Sequence, residues 1–180
     1  MFDTDQAETG TSTTFRNIVA NNPVLSKGGL EAAEKLFATQ MIDSNGELIN
    51  EVPDTLITSN DPNTVNTALE YLRSTSAPDA GVAGVYNVYN SKYRLLILPF
   101  LATTAAGAYD STKATYWMLA NLKGTDAVLR ILQNPTFIPP TENDGKEFET
   151  MDWKFGCHAA YAIEILRGQW IVLSKGDASA

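Results

Sequence analysis

The sequence predicts an α+β fold on three observations. Every second residue from Met151 to Ile165 is apolar or small. Two segments repeat apolar residues at helical spacing, and short apolar runs bounded by turn residues lie between and after them. The first of these is the most informative. Met151, Trp153, Phe155, Cys157, Ala159, Tyr161, Ile163 and Ile165 alternate with mostly polar neighbours such as Asp152, Lys154, His158 and Glu164. A period of two places them on one face of a strand. At about 3.3 Å per residue that strand would reach roughly 50 Å, which suits an extended, sheet-backed subunit better than a pocketed enzyme.

The elements follow in chain order. Residues 1–14 are rich in Asp, Glu, Thr, Gly and Ser, with Phe2 as their only aromatic before Phe15, so they support no core of their own. Ser26 is placed to cap a helix, with Leu25 and Leu30 as a hydrophobic staple. Leu30, Ala33, Phe37 and Met41 form its apolar stripe, and Glu31 pairs with Lys35 on its outer face. Gly28 and Gly29 weaken its first turn. Asn45-Gly46 marks a hairpin turn, and Thr55 to Thr58 form a short strand. Asp61-Pro62 reads as N-cap and first helical residue, followed by Val65, Ala68, Leu69 and Leu72 on one face.

Ser74 to Asn90 is a long loop carrying Pro78, Gly81 and Gly84, and such loops are usually functional or mobile. Tyr93 to Leu98 reads as a buried strand closed by Pro99, and Ala114 to Ala120 as another with Tyr116 and Trp117. Asp126 is placed to cap a short helix burying Val128, Leu129 and Leu132, and Pro135, Pro139 and Pro140 mark a corner. The long strand, a break at Gly168 and a strand from Trp170 to Ser174 complete the chain.

Composition excludes several classes. A chain of 180 residues, 44% of them hydrophobic, buries roughly 70% of its unfolded surface without disulfides or metal. The single cysteine, Cys157, has no internal partner, no run approaches a membrane span, and residues 1–14 lack a basic start followed by an apolar run. Thirteen basic against 21 acidic residues give a net charge of −8, which repels phosphate backbones. The closest basic pair, Lys92 and Arg94, is too small to override that repulsion. The expected protein is made in a cytoplasm, binds no nucleic acid specifically and enters no membrane.

The search for chemistry is negative. Cys157 and His158 point to opposite faces of a strand and form no catalytic pair. Cys157 is expected in the core and His158 in solvent. Asp43 to Glu47 and Glu142 to Gly145 lack the ligand spacing of a calcium loop and read as turns. No phosphate-binding loop and no nucleophile elbow is present, and Gly81 to Gly84 reads as a flexible loop. No cofactor, metal or catalytic residue is assigned, and the protein is expected not to be an enzyme. Tyr86 and Tyr89 are the candidate subunit contacts, because large aromatics in a loop suit a partner surface. Packing beneath their own loop is the competing account.

The order of segments resembles the C-terminal part of tailed-bacteriophage major capsid proteins with the Hong Kong 97-like fold, in the Mu-like or prohead-protease-associated group. The resemblance rests on the helix from Ser26, Leu56-Ile57-Thr58, the Asp61-Pro62 helix, Leu95-Leu96-Ile97-Leu98-Pro99, Tyr116-Trp117-Met118-Leu119 and the terminal stretch through Trp170-Ile171-Val172-Leu173. Met41 to Leu72 is its most specific part. The resemblance implies two lobes. Residues 1–54 would hold a partial N-terminal segment and the spine helix of a peripheral lobe, 55–134 an axial lobe with a small mixed sheet and flanking helices, and 135–180 the long-strand part of the peripheral lobe. It also implies self-association into hexamers and pentamers of a virion capsid made in a bacterial host. The family's N-terminal arm and extended loop find no room ahead of Phe15, so the chain is expected to be a fragment. Two other readings stand beside it: the shell of an encapsulin-like nanocompartment, and a small α+β hydrolase or ligand-binding domain.

Overall fold

The computed structural model describes residues 6–7, 14–43, 45–78, 84–123, 127–138, 156–165 and 168–178. In chain order the elements are β1 (Gln6–Ala7), β2 (Thr14–Phe15), α1 (Lys27–Thr39), β3 (Thr55–Ser59), α2 (Pro62–Arg73), β4 (Arg94–Leu98), β5 (Trp117–Ala120), β6 (Ala127–Ile138), β7 (Gly156–Ile165) and β8 (Ile171–Ser174). The chain is an α+β protein that divides into two compact units, 1–125 with 168–180, and 126–167. β8 joins the sheet of the first unit, and α1 shares a core with α2. No helix among the described residues is long and apolar enough to cross a membrane.

The first unit is built on a four-stranded mixed sheet ordered β4-β3-β5-β8. β3 is central and buried at every position, paired in parallel with β4 and antiparallel with β5, while β8 runs antiparallel outside β5. Both faces of the sheet are buried at β3, β5 and β8, so β5 and β8 read as near-continuous apolar runs and not as alternations. On one face Leu56, Trp117, Leu119 and Val172 meet Leu30, Ala33 and Phe37 of α1 and Ala68 and Leu72 of α2. On the other, Ile57, Met118, Ile171 and Leu173 pack with Leu96, Leu98, Tyr116 and Trp170.

Both helix starts follow local chemistry. The Ser26 side chain accepts from Gly29 N–H, and the Asp61 carboxylate accepts from Asn63 and Thr64 N–H. Asp61 and Pro62 thus satisfy or remove the orphan donors of the first turn. Gly29 does more than weaken a helix. A Cβ there would stand 3.0 Å from Val24 O and 3.1 Å from Trp117 Cζ2, so the glycine admits the close approach of α1 to the buried indole. Trp117 Nε1–H donates to Pro23 O at 3.0 Å.

Several expectations are corrected. Glu31 pairs with Lys27 at 3.9 Å in place of Lys35. Met41 is fully buried but lies beyond the end of α1. The buried face of α2 is Thr64, Ala68, Tyr71 and Leu72, with Val65 and Leu69 half-buried, a rotation of the expected stripe. β4 is a half-exposed edge strand. The segment expected as a short helix at 127–132 is part of β6, with Pro135 inside the strand near its register shifts. The turn at Asn45-Gly46 forms as expected, with Asp43 Oδ1 accepting from Asn45 and Glu47 N–H and Gly46 at φ +84°.

The second unit contains a two-stranded antiparallel ribbon of β6 and β7, in register from Ala127↔Ile165 to Ile138↔Gly156. The long strand is therefore described from Gly156 onward. Met151, Trp153 and Phe155, like Asp126, Pro139, Pro140 and the turn expected at 142–145, lie outside the described residues. Cys157 and Ala159, expected in a core, are exposed, as are His158 and Ala160.

Candidate subunit-contact surface

The loop after α2 contains the sequence Val85-Tyr86-Asn87-Val88-Tyr89-Asn90, one tripeptide written twice. Its two copies do different work. Tyr86 is 69% exposed and flanked by exposed Val85 and Val88, whereas Tyr89 is 2% exposed and belongs to the core. The structure therefore separates the two candidate contact residues. Tyr86 is available to a partner; Tyr89 is not, because its ring is enclosed by Tyr71 at 89° and by Tyr93 at 29°, with centroids 6.5 and 6.2 Å away.

The asparagines explain why this loop holds one shape. A helix leaves its last four carbonyls without intrahelical partners. Asn87 is buried, and its Nδ2 donates to Tyr71 O at 2.5 Å and Ser74 O at 3.0 Å, while its Oδ1 accepts from Tyr89 N–H at 3.0 Å. Asn90 Nδ2 donates to Arg73 O at 3.2 Å and Ser74 O at 2.9 Å. Ser91 N–H donates to Leu72 O at 2.9 Å. The end of α2 is thus capped by the very loop that carries Val85, Tyr86 and Val88. The near side is tied by Ala77 N–H to Val85 O at 2.8 Å and Asn87 N–H to Thr75 O at 3.1 Å. Sequence reading missed Asn87 and Asn90; the duplicated tripeptide was the available signal.

A second joint ties the loop to α1. The Glu34 carboxylate accepts from Lys92 Nζ at 2.7 Å and from the Tyr93 hydroxyl. Lys92 Nζ also lies 5.1 and 5.5 Å from the centres of the Tyr89 and Tyr93 rings, within cation–π range. Burial, then the hydrogen bond to Glu34, raises the Tyr93 phenol far above its ordinary pKa. Burial, then the charges of Glu34 and Glu31, does the same to Tyr89. Both phenols keep their protons at neutral pH, and the cluster acts as a structural joint. The notch lined by Lys27, Tyr71, Pro78, Val85 and Tyr89 holds about 30 Å³, far below the several hundred Å³ of a small-molecule site.

The ribbon exposes one large apolar side chain on each face near this end: Phe137, 60% exposed, on the face of its cross-strand partner Cys157, and Ile138, 49% exposed, on the other. Among the described residues no group of three or more His, Cys, Asp or Glu is arranged to hold a metal ion. Comparison with family models, with curated proteins and with solved structures gives no match to this chain.

Proposed function

We propose that the chain is a structural subunit of a phage or prophage capsid shell, acting by repeated association with copies of itself. The ribbon carries this reading. Its strands run to twelve and ten residues, yet the sheet holds only these two among the described residues. A two-stranded ribbon is marginal by itself, and the side chains described at 135–138 and 156–160 are exposed. Burying Phe137, on the Cys157 face, against a neighbour supplies up to about 1.5–3 kcal/mol. The Val85, Tyr86 and Val88 surface supplies a second, different patch. Contacts between unlike patches form rings where the rotation between copies closes, the arrangement that hexamers and pentamers need.

The phage assignment draws on the order of segments quoted above, and the net charge of −8 suits a shell lining that does not grip packaged DNA. The test uses Cys157, the chain's one cysteine, as a reporter of the ribbon. Maleimide labelling is fast at high dilution, and it slows at least tenfold at concentrations where large particles form. The Phe137→Glu variant stays fast throughout. Large particles whose Cys157 labels as quickly as the dilute chain, or normal assembly by Phe137→Glu, would contradict the reading.

A further inference from the structure

The two edges of the four-stranded sheet are treated differently. The outer edge of β8 is covered by the segment at 17–19, through Val19 N–H to Leu173 O and Leu173 N–H to Asn17 O, both 2.9 Å. No strand pairs with the outer edge of β4 among the described residues. Arg94 N–H donates inward to Asp54 O at 2.9 Å, and alternation then turns the backbone groups of Leu95 and Ile97 outward. Beside that edge runs an open groove of about 650 Å³ lined by Leu69, Leu72, Tyr93, Leu95 and Ile97, with Arg73 and Ser91 at one end. Arg94 opens the strand and Pro99 follows it, and between them Leu95 to Leu98 carry no charge, proline or bulge of the kind that blunts an edge.

Charge selects the occupant. Arg73 and Arg94 are exposed and make no ion pair with the described residues, in a chain whose net charge is −8. A second copy pairing β4 against β4 about a two-fold axis would set the Arg73 and Arg94 end of each copy beside the Leu98 end of the other, and the groove lining offers those arginines no acid. We infer that the β4 edge and its groove bind an extended acidic peptide, which adds a fifth strand to the sheet. Main-chain bonds to Leu95 and Ile97 hold it, and its alternate apolar side chains enter the groove. Because α2 descends between parallel β3 and β4, Arg73 lies by the start of β4. An antiparallel peptide therefore places its acidic residues at its C-terminal end. This binding mode is independent of shell formation.

The test is fluorescence anisotropy with a labelled short peptide of alternating Val and Thr ending in Glu-Glu, beside the same peptide ending in Lys-Lys. The intact chain is expected to prefer the Glu-Glu peptide at least tenfold. Arg73→Glu, with its fold checked by circular dichroism, should reverse that preference, and Ile97→Pro should weaken both peptides. Equal binding of the two peptides, or an Arg73→Glu variant with unchanged preference, overturns the inference. So does a β4-mediated dimer that Ile97→Lys disperses and the Glu-Glu peptide does not displace.

Discussion

Replacing Asn87 with alanine tests how the loop surface is held. The substitution removes two donations, to Tyr71 O and Ser74 O, and one acceptance, from Tyr89 N–H. Each such bond contributes about 1 kcal/mol net, and stranding a buried partner costs more. The Tyr71 carbonyl and the Tyr89 N–H are on the buried side, while Ser74 is half-buried and finds water. The sum is about 2–4 kcal/mol. For a chain of this size that lowers the thermal midpoint by about 6–12 °C at the middle of the range. Urea unfolding followed by tryptophan fluorescence measures the loss. Hydrogen exchange locates it, because the amides of Tyr89 and Ser91 should lose protection before those of β3. Asn90→Ala is the control. Its acceptors Arg73 O and Ser74 O are reachable by water, and it should cost under about 1 kcal/mol. A loss below 1 kcal/mol for Asn87→Ala, or equal losses for both, would refute the capping argument.

Three further outcomes are expected. Gly28→Ala stabilises by about 0.5–1 kcal/mol in a helix with open space at that Cβ, whereas Gly29→Ala destabilises by about 1–3 kcal/mol through contact with Val24 O and Trp117; chemical denaturation reads both. Tyr86→Asp leaves stability within about 0.5 kcal/mol, and Tyr89→Asp prevents folding, as judged by near-ultraviolet circular dichroism. Stability falls as pH rises past about 10. There unfolded tyrosines lose their protons while Tyr93 and Tyr89 keep theirs, so unfolding releases protons and alkali favours it. Tyr93→Phe should flatten that fall in pH-dependent melts, and an unchanged slope would reject burial of the phenol as its cause.

What could be read from the sequence was what local chemistry decides. Ser26 and Asp61-Pro62 start helices because a capping side chain reaches donors only two or three residues away. Asn45-Gly46 makes its turn for the same local reason. What failed depended on neighbours distant in sequence. An apolar run such as Leu95 to Leu98 has the same composition at the centre of a sheet and at its edge, and β4 lies at the edge. Val128, Leu129 and Leu132 fit a helical stripe as well as a strand, and pairing with β7 settles them as strand. Cys157 alternates correctly with His158, but alternation implies a buried face only if another layer covers it. Tyr86 and Tyr89 occupy equivalent places in a repeated tripeptide, and only the packing of Tyr71 and Tyr93 distinguishes them.

Sedimentation velocity across a wide concentration range, paired with electron microscopy of the heaviest fraction, tests self-association most directly. The expected result is a shift from single chains to large, uniform ring-built particles as concentration rises, lost in Phe137→Glu with its melting curve unchanged. A chain that sediments as a monomer at every concentration, with the ribbon intact by hydrogen exchange, would contradict a shell-forming role.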